Sequence, residues 1–243
     1  MKKTSNRTTE LVKTFQNQII SGNMKPGQKL PPLREIALEY GVSRSVVNSA
    51  IAALSARGYL HVVPRHFIVV ENFLQTGSLD VLEDVFHSDN RILKAKMIKD
   101  VLSCREMVES HSVRAILHSP EIDLQPLFAI LSDEEKWLRH PHDPAIELAR
   151  MDLVFHDTLI RLGDNLASSL IYRSFNYLAD PMVRLFYRTP EIAAFVFEKH
   201  SEICHALARR DETTALALLH DLLQHGERVV LGFLEEGFEW NGS

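Results

Sequence analysis

At Tyr40-Gly41-Val42-Ser43 a glycine ends one apolar-periodic stretch and a serine starts the next within four residues. A break that tight makes two short helices cross steeply, which is a helix-turn-helix. Upstream, Pro32 serves as a first-turn proline for a helix over Leu33 to Tyr40, with Ile36, Ala37 and Tyr40 facing inward. Downstream, Ser43 caps a helix from about Arg44 to Arg57 whose buried stripe is Val46, Val47, Ala50, Ile51 and Leu54, and Gly58 stops it. An earlier helix, Thr8 to Ser21, carries Leu11, Val12, Phe15, Ile19 and Ile20 at helical spacing, and Lys25-Pro26-Gly27 turns the chain after it. Tyr59 to Val63 and Phe67 to Val70 are β-prone and flank Pro64-Arg65-His66, which predicts a small hairpin. Three helices and a hairpin make a winged helix-turn-helix.

Beyond the hairpin the β-prone runs stop. Apolar residues recur only at helical spacing, over about Leu79–Phe86, Arg91–His118, Glu121–Arg139, Pro144–Leu162, Leu166–Tyr187, Glu191–Arg209 and Glu212–Glu235. The breaks are Ser119-Pro120, His140-Pro141-His142, Gly163-Asp164-Asn165, Thr189-Pro190 and Arg210-Asp211. The expected fold is mainly α: a winged head at 1–72, a linker at 73–78, an all-α helical bundle at 79–236 and a tail at 237–243.

Charge follows the same division. A net charge of −5 by itself argues against a nucleic-acid binder. Residues 1–75 nevertheless hold ten Lys/Arg against four Asp/Glu, a surplus of six, which leaves the remainder near −11. A basic module on an acidic body is the asymmetry expected when one end touches phosphates. No run approaches the ~20 apolar residues of a membrane span, and Met1 to Glu10 lacks a signal-like apolar stretch, so a cytoplasmic protein with no membrane partner is expected. Cys104 and Cys204 have no CxxC or CxxH neighbour, which fits free buried thiols better than a disulfide or a zinc knuckle.

The stretch Ile20-x-Gly22-x-Met24-x-Pro26-Gly27-x-x-Leu30-Pro31, followed by Arg34-Glu35-x-Ala37, Gly41-Val42-Ser43-Arg44 and Leu54-x-x-x-Gly58-Tyr59-Leu60, resembles the GntR family of bacterial transcription regulators. The resemblance implies that Arg34 and Arg44 meet phosphates or a guanine edge of double-stranded DNA. Ser43, Ser45 and Asn48, on the same exposed face, would donate to phosphate or reach a base. A phosphate contact adds affinity without sequence information, whereas a bidentate base contact gives about 1–3 kcal/mol of discrimination. Asn48 stands where family members commonly carry arginine, and Asn pairs with adenine more naturally than with guanine, so the operator is expected to differ at that step. The family's wing tip usually contains glycine. Here Arg65 and His66 are minor-groove or phosphate candidates instead.

In the bundle, Asp152 and His156 stand at i and i+4, where a carboxylate and an imidazole on one helix face can bind one ion. His200 and His220 lie on two later helices. The chain has twelve histidines, so spacing alone does not separate ligands from ordinary helix histidines. Behind a GntR-type head, however, Asp152-x-x-Phe155-His156-x-x-Leu159, Gly163-x-Asn165, His200-x-x-Ile203-x-x-Ala206-Leu207-x-x-x-Asp211 and His220 are similar to the FCD effector domain of the FadR-type branch. That resemblance implies a divalent metal (zinc, nickel or manganese) on Asp152, His156, His200 and His220, beside a small organic acid acting as effector. It also implies that Arg105 points its guanidinium fork at that carboxylate, with an ion pair to Glu109 at i+4 as its alternative role. Asn165 is an effector candidate whose alternative is helix capping. The glutamate usual before the third ligand is Lys199 here.

The function expected is a metabolite-responsive regulator without enzymatic activity: a cytoplasmic, nucleoid-associated homodimer on a pseudo-palindromic operator. Repression relieved by the ligand is the commoner mode in the family. Likeness to the branch's fatty-acid-responsive member at Glu71-Asn72-Phe73 and Gly77-Ser78-Leu79 makes an acyl-CoA-responsive regulator the alternative. A metal-dependent hydrolase or lyase on a DNA-binding head would also need a general base by an open metal position, as in HExxH, and no such motif is present. A ligand-independent protein whose body only dimerises predicts neither metal nor effector.

Overall fold

A computed structural model describes residues 2–140, 145–188 and 190–235. The tail at 237–243 and parts of the breaks at His140-Pro141-His142 and Thr189-Pro190 lie outside the described residues. The chain divides into two compact units, Met1–Met97 and Ile98–Ser243.

The first unit holds α1 (Lys2–Ile20), α2 (Leu33–Glu39), α3 (Arg44–Ala56), β1 (Leu60–Val63), β2 (Phe67–Val70), α4 (Phe73–Thr76) and α5 (Asp80–Phe86). Ser43 caps α3, its Oγ accepting from the Val46 N–H, while Pro32 occupies the N-cap of α2 rather than its first helical position. Leu11 and Phe15 of α1, Ile36 of α2, Val47 and Leu54 of α3, and Tyr59 are buried together with Leu60 and Val70 of the wing. β1 and β2 pair antiparallel from Leu60↔Val70 to Val63↔Phe67. On its other edge β2 bonds the segment before α2, through Gly27 N–H to the Val70 carbonyl and Leu30 N–H to the Ile68 carbonyl. Gly58 has φ +81, and a Cβ there would lie 2.1 Å from the Thr76 carbonyl oxygen, so both the helix stop and the return of α4 demand glycine.

The segment read as a linker contains α4, and α5, read as the start of the bundle, belongs to the head's unit. Besides the buried Val81, Val85 and Phe86, one carboxylate ties α5 to residues of the head. Asp84 of α5 accepts from Gln16 Nε2 (2.8 Å), Arg57 Nη1 (2.6 Å) and Tyr59 Oη (2.9 Å).

The elements of the second unit among its described residues are all helices: most of α6 (Arg91–His118), then α7 (Gln125–Leu138), α8 (Ala145–Leu162), α9 (Leu166–Ser174), α10 (Asn176–Phe186), α11 (Pro190–Ala208) and α12 (Glu212–Glu235). Its core joins Val113, Leu127, Phe155, Leu159, Ile203, Leu207 and Leu219, among others. The single helix expected over Leu166–Tyr187 is two, separated at Phe175. Phe175 is itself buried, so the apolar period runs through the break and hides it. A Cβ on Gly163 would meet Ser112 Cα and Cβ at 2.8 Å. The end of α8 therefore approaches α6 as closely as only glycine permits, which brings the two helices of the site together.

Candidate metal and effector site and DNA-facing surface

Two imidazoles and a carboxylate converge inside the bundle. Asp152, His156 and His200 are buried, and one donor atom from each lies within 4.8 Å of the others. Asp152 Oδ1 is 3.9 Å from His156 Nε2 and 3.8 Å from His200 Nε2. The two rings are fixed from behind. His156 Nδ1 lies 2.6 Å from Glu109 Oε2 of α6, and His200 Nδ1 lies 2.9 Å from Glu134 Oε1 of α7. Phe155 stacks on the His200 ring at 3.7 Å between centroids. Asp152 Oδ1 accepts a long hydrogen bond, 3.4 Å, from the Tyr187 hydroxyl.

Burial and the cation of Arg105 hold the His156 imidazole below the ordinary histidine range, against the opposing pull of Glu109. Burial pushes the Glu109 carboxyl up, but His156 and Arg105 outweigh it and take it down to about 2. A neutral ring whose Nδ1–H donates to a carboxylate leaves Nε2 bare, which is the state a metal ligand needs, and His156 is held toward it. His200 Nε2 is buried and has no hydrogen-bond partner. A divalent cation fits this set on two grounds. The unpartnered Nε2 faces the Asp152 carboxylate, and one cation, Arg105, stands against three buried carboxyl groups, Glu109, Glu134 and Asp152, a formal deficit of two positive charges. Asp/His/His donors suit a borderline divalent ion.

Arg105 reaches the site as expected, and it also makes the ion pair, Nε to Glu109 Oε1 at 2.6 Å. With Asp152 and His156 it lines a cavity of about 50 Å³ whose remaining walls are apolar residues of α6, α10 and α12. Two expected residues are not brought in. His220 is exposed and bonds Glu106 through Nδ1 at 2.6 Å. The inner stripe of α12 is Leu219, Leu222, Leu223 and Gly226, and at about 100° per residue position 220 lies about 110° round the helix from the centre of that stripe. Asn165 caps α9, its Oδ1 accepting from the Ser168 N–H, with Nδ2 directed at His111 and not at the cavity.

Glu134 and Tyr187 carry no sequence signal, since Glu134 sits within Asp133-Glu134-Glu135 like any solvated acid. Lys199, where a glutamate was expected, pairs with Glu202 and Asp221 instead. His205 is exposed against Phe128, and His225 lies between Phe186 and Phe195. Cys104 and Cys204 are free, and burial pushes the Cys204 thiol up to about 12.

In the head, Arg34 near the start of α2, and Ser43, Arg44, Ser45 and Asn48 at the start of α3, are all exposed. Arg44 and Asn48 are one turn apart, opposite the buried Val46, Val47 and Ala50. Arg65 and His66 form the exposed wing tip, where Arg65 takes φ 64, a conformation that stands in for the missing glycine.

The family model described as bacterial regulatory proteins, gntR family, matches residues 8–70, and that of the FCD domain matches residues 100–225. The HTH-type transcriptional regulator Mce2R of Mycobacterium tuberculosis is 25% identical over 227 residues, covering 93% of this chain and 92% of its own. The fatty acid metabolism regulator protein of Serratia proteamaculans is 25% identical over 190 residues, 77% of this chain and 76% of that protein. Among solved structures, one described as Lar, which controls the expression of the Listeria monocytogenes agr system, shares the fold with a TM-score of 0.54 at 19% identity, covering 92% of this chain and 95% of that one.

Proposed function

The chain belongs to the GntR family of bacterial regulatory proteins, as a DNA-binding transcriptional regulator with an FCD domain, and from that premise we propose that a divalent cation and a small carboxylate in the FCD domain set its hold on DNA. The observation that carries this reading is the buried trio Asp152, His156 and His200, with both Nδ1 atoms engaged and His200 Nε2 bare. These three residues would hold the cation, which supplies positive charge for an anionic effector. Arg105 holds the effector's carboxylate from the other side. Glu109 and Glu134 keep the rings in the metal-ready tautomer.

In the head, Arg34 and Arg44 act on phosphates or guanine, Ser43 and Ser45 on phosphates, Asn48 on a base, and Arg65 with His66 on the minor groove or its phosphates. The protein acts as a cytoplasmic homodimer on a two-fold operator, as a repressor released by its effector. The relatives named fatty acid metabolism regulators support a second reading, an acyl-responsive regulator. Elemental analysis of protein purified without chelator tests the first reading. About one equivalent of a divalent metal is expected, and its loss in His156→Ala/His200→Ala with the head still folded. Retention of metal by that double variant overturns the site.

A further inference from the structure

We infer that the effector is a monocarboxylate with a short apolar chain, its carboxylate on Arg105 and its chain against the wall formed by α10 and α12. This rests on the metal and effector reading above and narrows it to a ligand class.

Among the described residues, one Lys or Arg side chain, Arg105, lines the cavity. Arg105 commits its Nε to Glu109, and its terminal amino groups make no hydrogen bond to the described residues, so one forked donor is left for one carboxylate. The Tyr172 hydroxyl is buried, has no hydrogen-bond partner, and lies within electrostatic range of Arg105, Glu109 and Asp152. Charge sets the limit: a divalent cation and Arg105 together just balance Glu109, Glu134 and Asp152, so a monocarboxylate leaves the site one negative charge in excess, and each further carboxylate adds another.

The opposite wall has nothing to offer a polar group. Met182, Val183 and Phe186 of α10 and Leu222, Leu223 and Val230 of α12 present no hydrogen-bonding side-chain group to the cavity. A methylene gains there, whereas a hydroxyl or a second carboxylate loses its water for nothing. The cavity is small, about 50 Å³, which keeps the chain short. An acyl thioester has no carboxylate for Arg105. A hydroxy acid or a dicarboxylate would put its second polar group against Leu222 and Leu223.

Calorimetric titration of the full chain, stripped with chelator and reloaded with zinc, compares butyrate and valerate with succinate, citrate, gluconate and butyryl-CoA. Butyrate and valerate are expected to bind at least about tenfold more tightly than the others. Leu222→Asn should erase that preference, and Arg105→Gln should abolish binding of every acid. Tighter binding of succinate, citrate, gluconate or the thioester by the zinc-loaded protein overturns the ligand class and leaves the metal and effector reading standing. No zinc uptake, or zinc uptake with no acid bound, overturns both. The comparison among ligands uses the unaltered chain, so it does not depend on either variant folding.

Discussion

His156 and His200 are held by their Nδ1 atoms, and everything the site can do depends on what their Nε2 atoms then meet. Replacing Glu134 by Gln keeps the size of the side chain and removes the carboxylate behind His200, so metal affinity should drop about 10–100-fold, read by competition with a chromogenic chelator. His220→Ala should leave affinity and stoichiometry unchanged, because that ring is exposed and bonded to Glu106; metal loss in this variant would restore it as a ligand. The i, i+4 spacing put Asp152 and His156 on one helix face, but only the resemblance marked them as ligands, and the same resemblance placed His220 against the helical period. The stripe Leu219, Leu222, Leu223 and Gly226 already turns residue 220 outward. Glu134 was not legible, because nothing local distinguishes a buried acid from the solvated ones on either side of it. In the head, Arg44→Ala should weaken operator binding and lower the slope of log K against log salt by about 1 if the contact is to phosphate. An unchanged slope and affinity would remove Arg44 from the interface.

At the scale of elements, α3 shows how far local rules reach. Its cap, its buried stripe and its glycine stop are all consecutive signals, and all three are as read from the sequence. The division of Leu166–Tyr187 into α9 and α10 is not, since a buried Phe175 at the break continues the apolar pattern. Assignment of α5 to the head is equally non-local. It depends on Asp84 collecting donors from residues 16, 57 and 59, far from it in sequence. Asp84→Ala strands a guanidinium, a phenol and an amide at once and should cost about 2–4 kcal/mol. Hydrogen exchange should then show α5 losing its amide protection. Protection equal to the parent's would mean that apolar packing of Val81, Val85 and Phe86 holds the helix without the carboxylate.

For the whole molecule, the fold class and the order of head and bundle were legible because the sequence leaves the helical period only at the wing and keeps to it afterwards. The proposed route between effector and DNA was not, because such a route is a property of two states and not of a pattern. One element belongs to both units: α6 starts at Arg91 and carries Arg105 and Glu109 into the site. A ligand that favours one arrangement of α6 acts on a helix rooted in each unit, and it can shift DNA affinity only by its differential affinity for the two arrangements. Coupling of this kind is commonly 5–150-fold. The direct test is the Kd of the full chain for a duplex that it selects itself, measured zinc-loaded, with and without saturating butyrate. A shift of at least about fivefold that disappears in Arg105→Gln is expected. The same Kd in both conditions, with metal and acid shown to be bound, would contradict it.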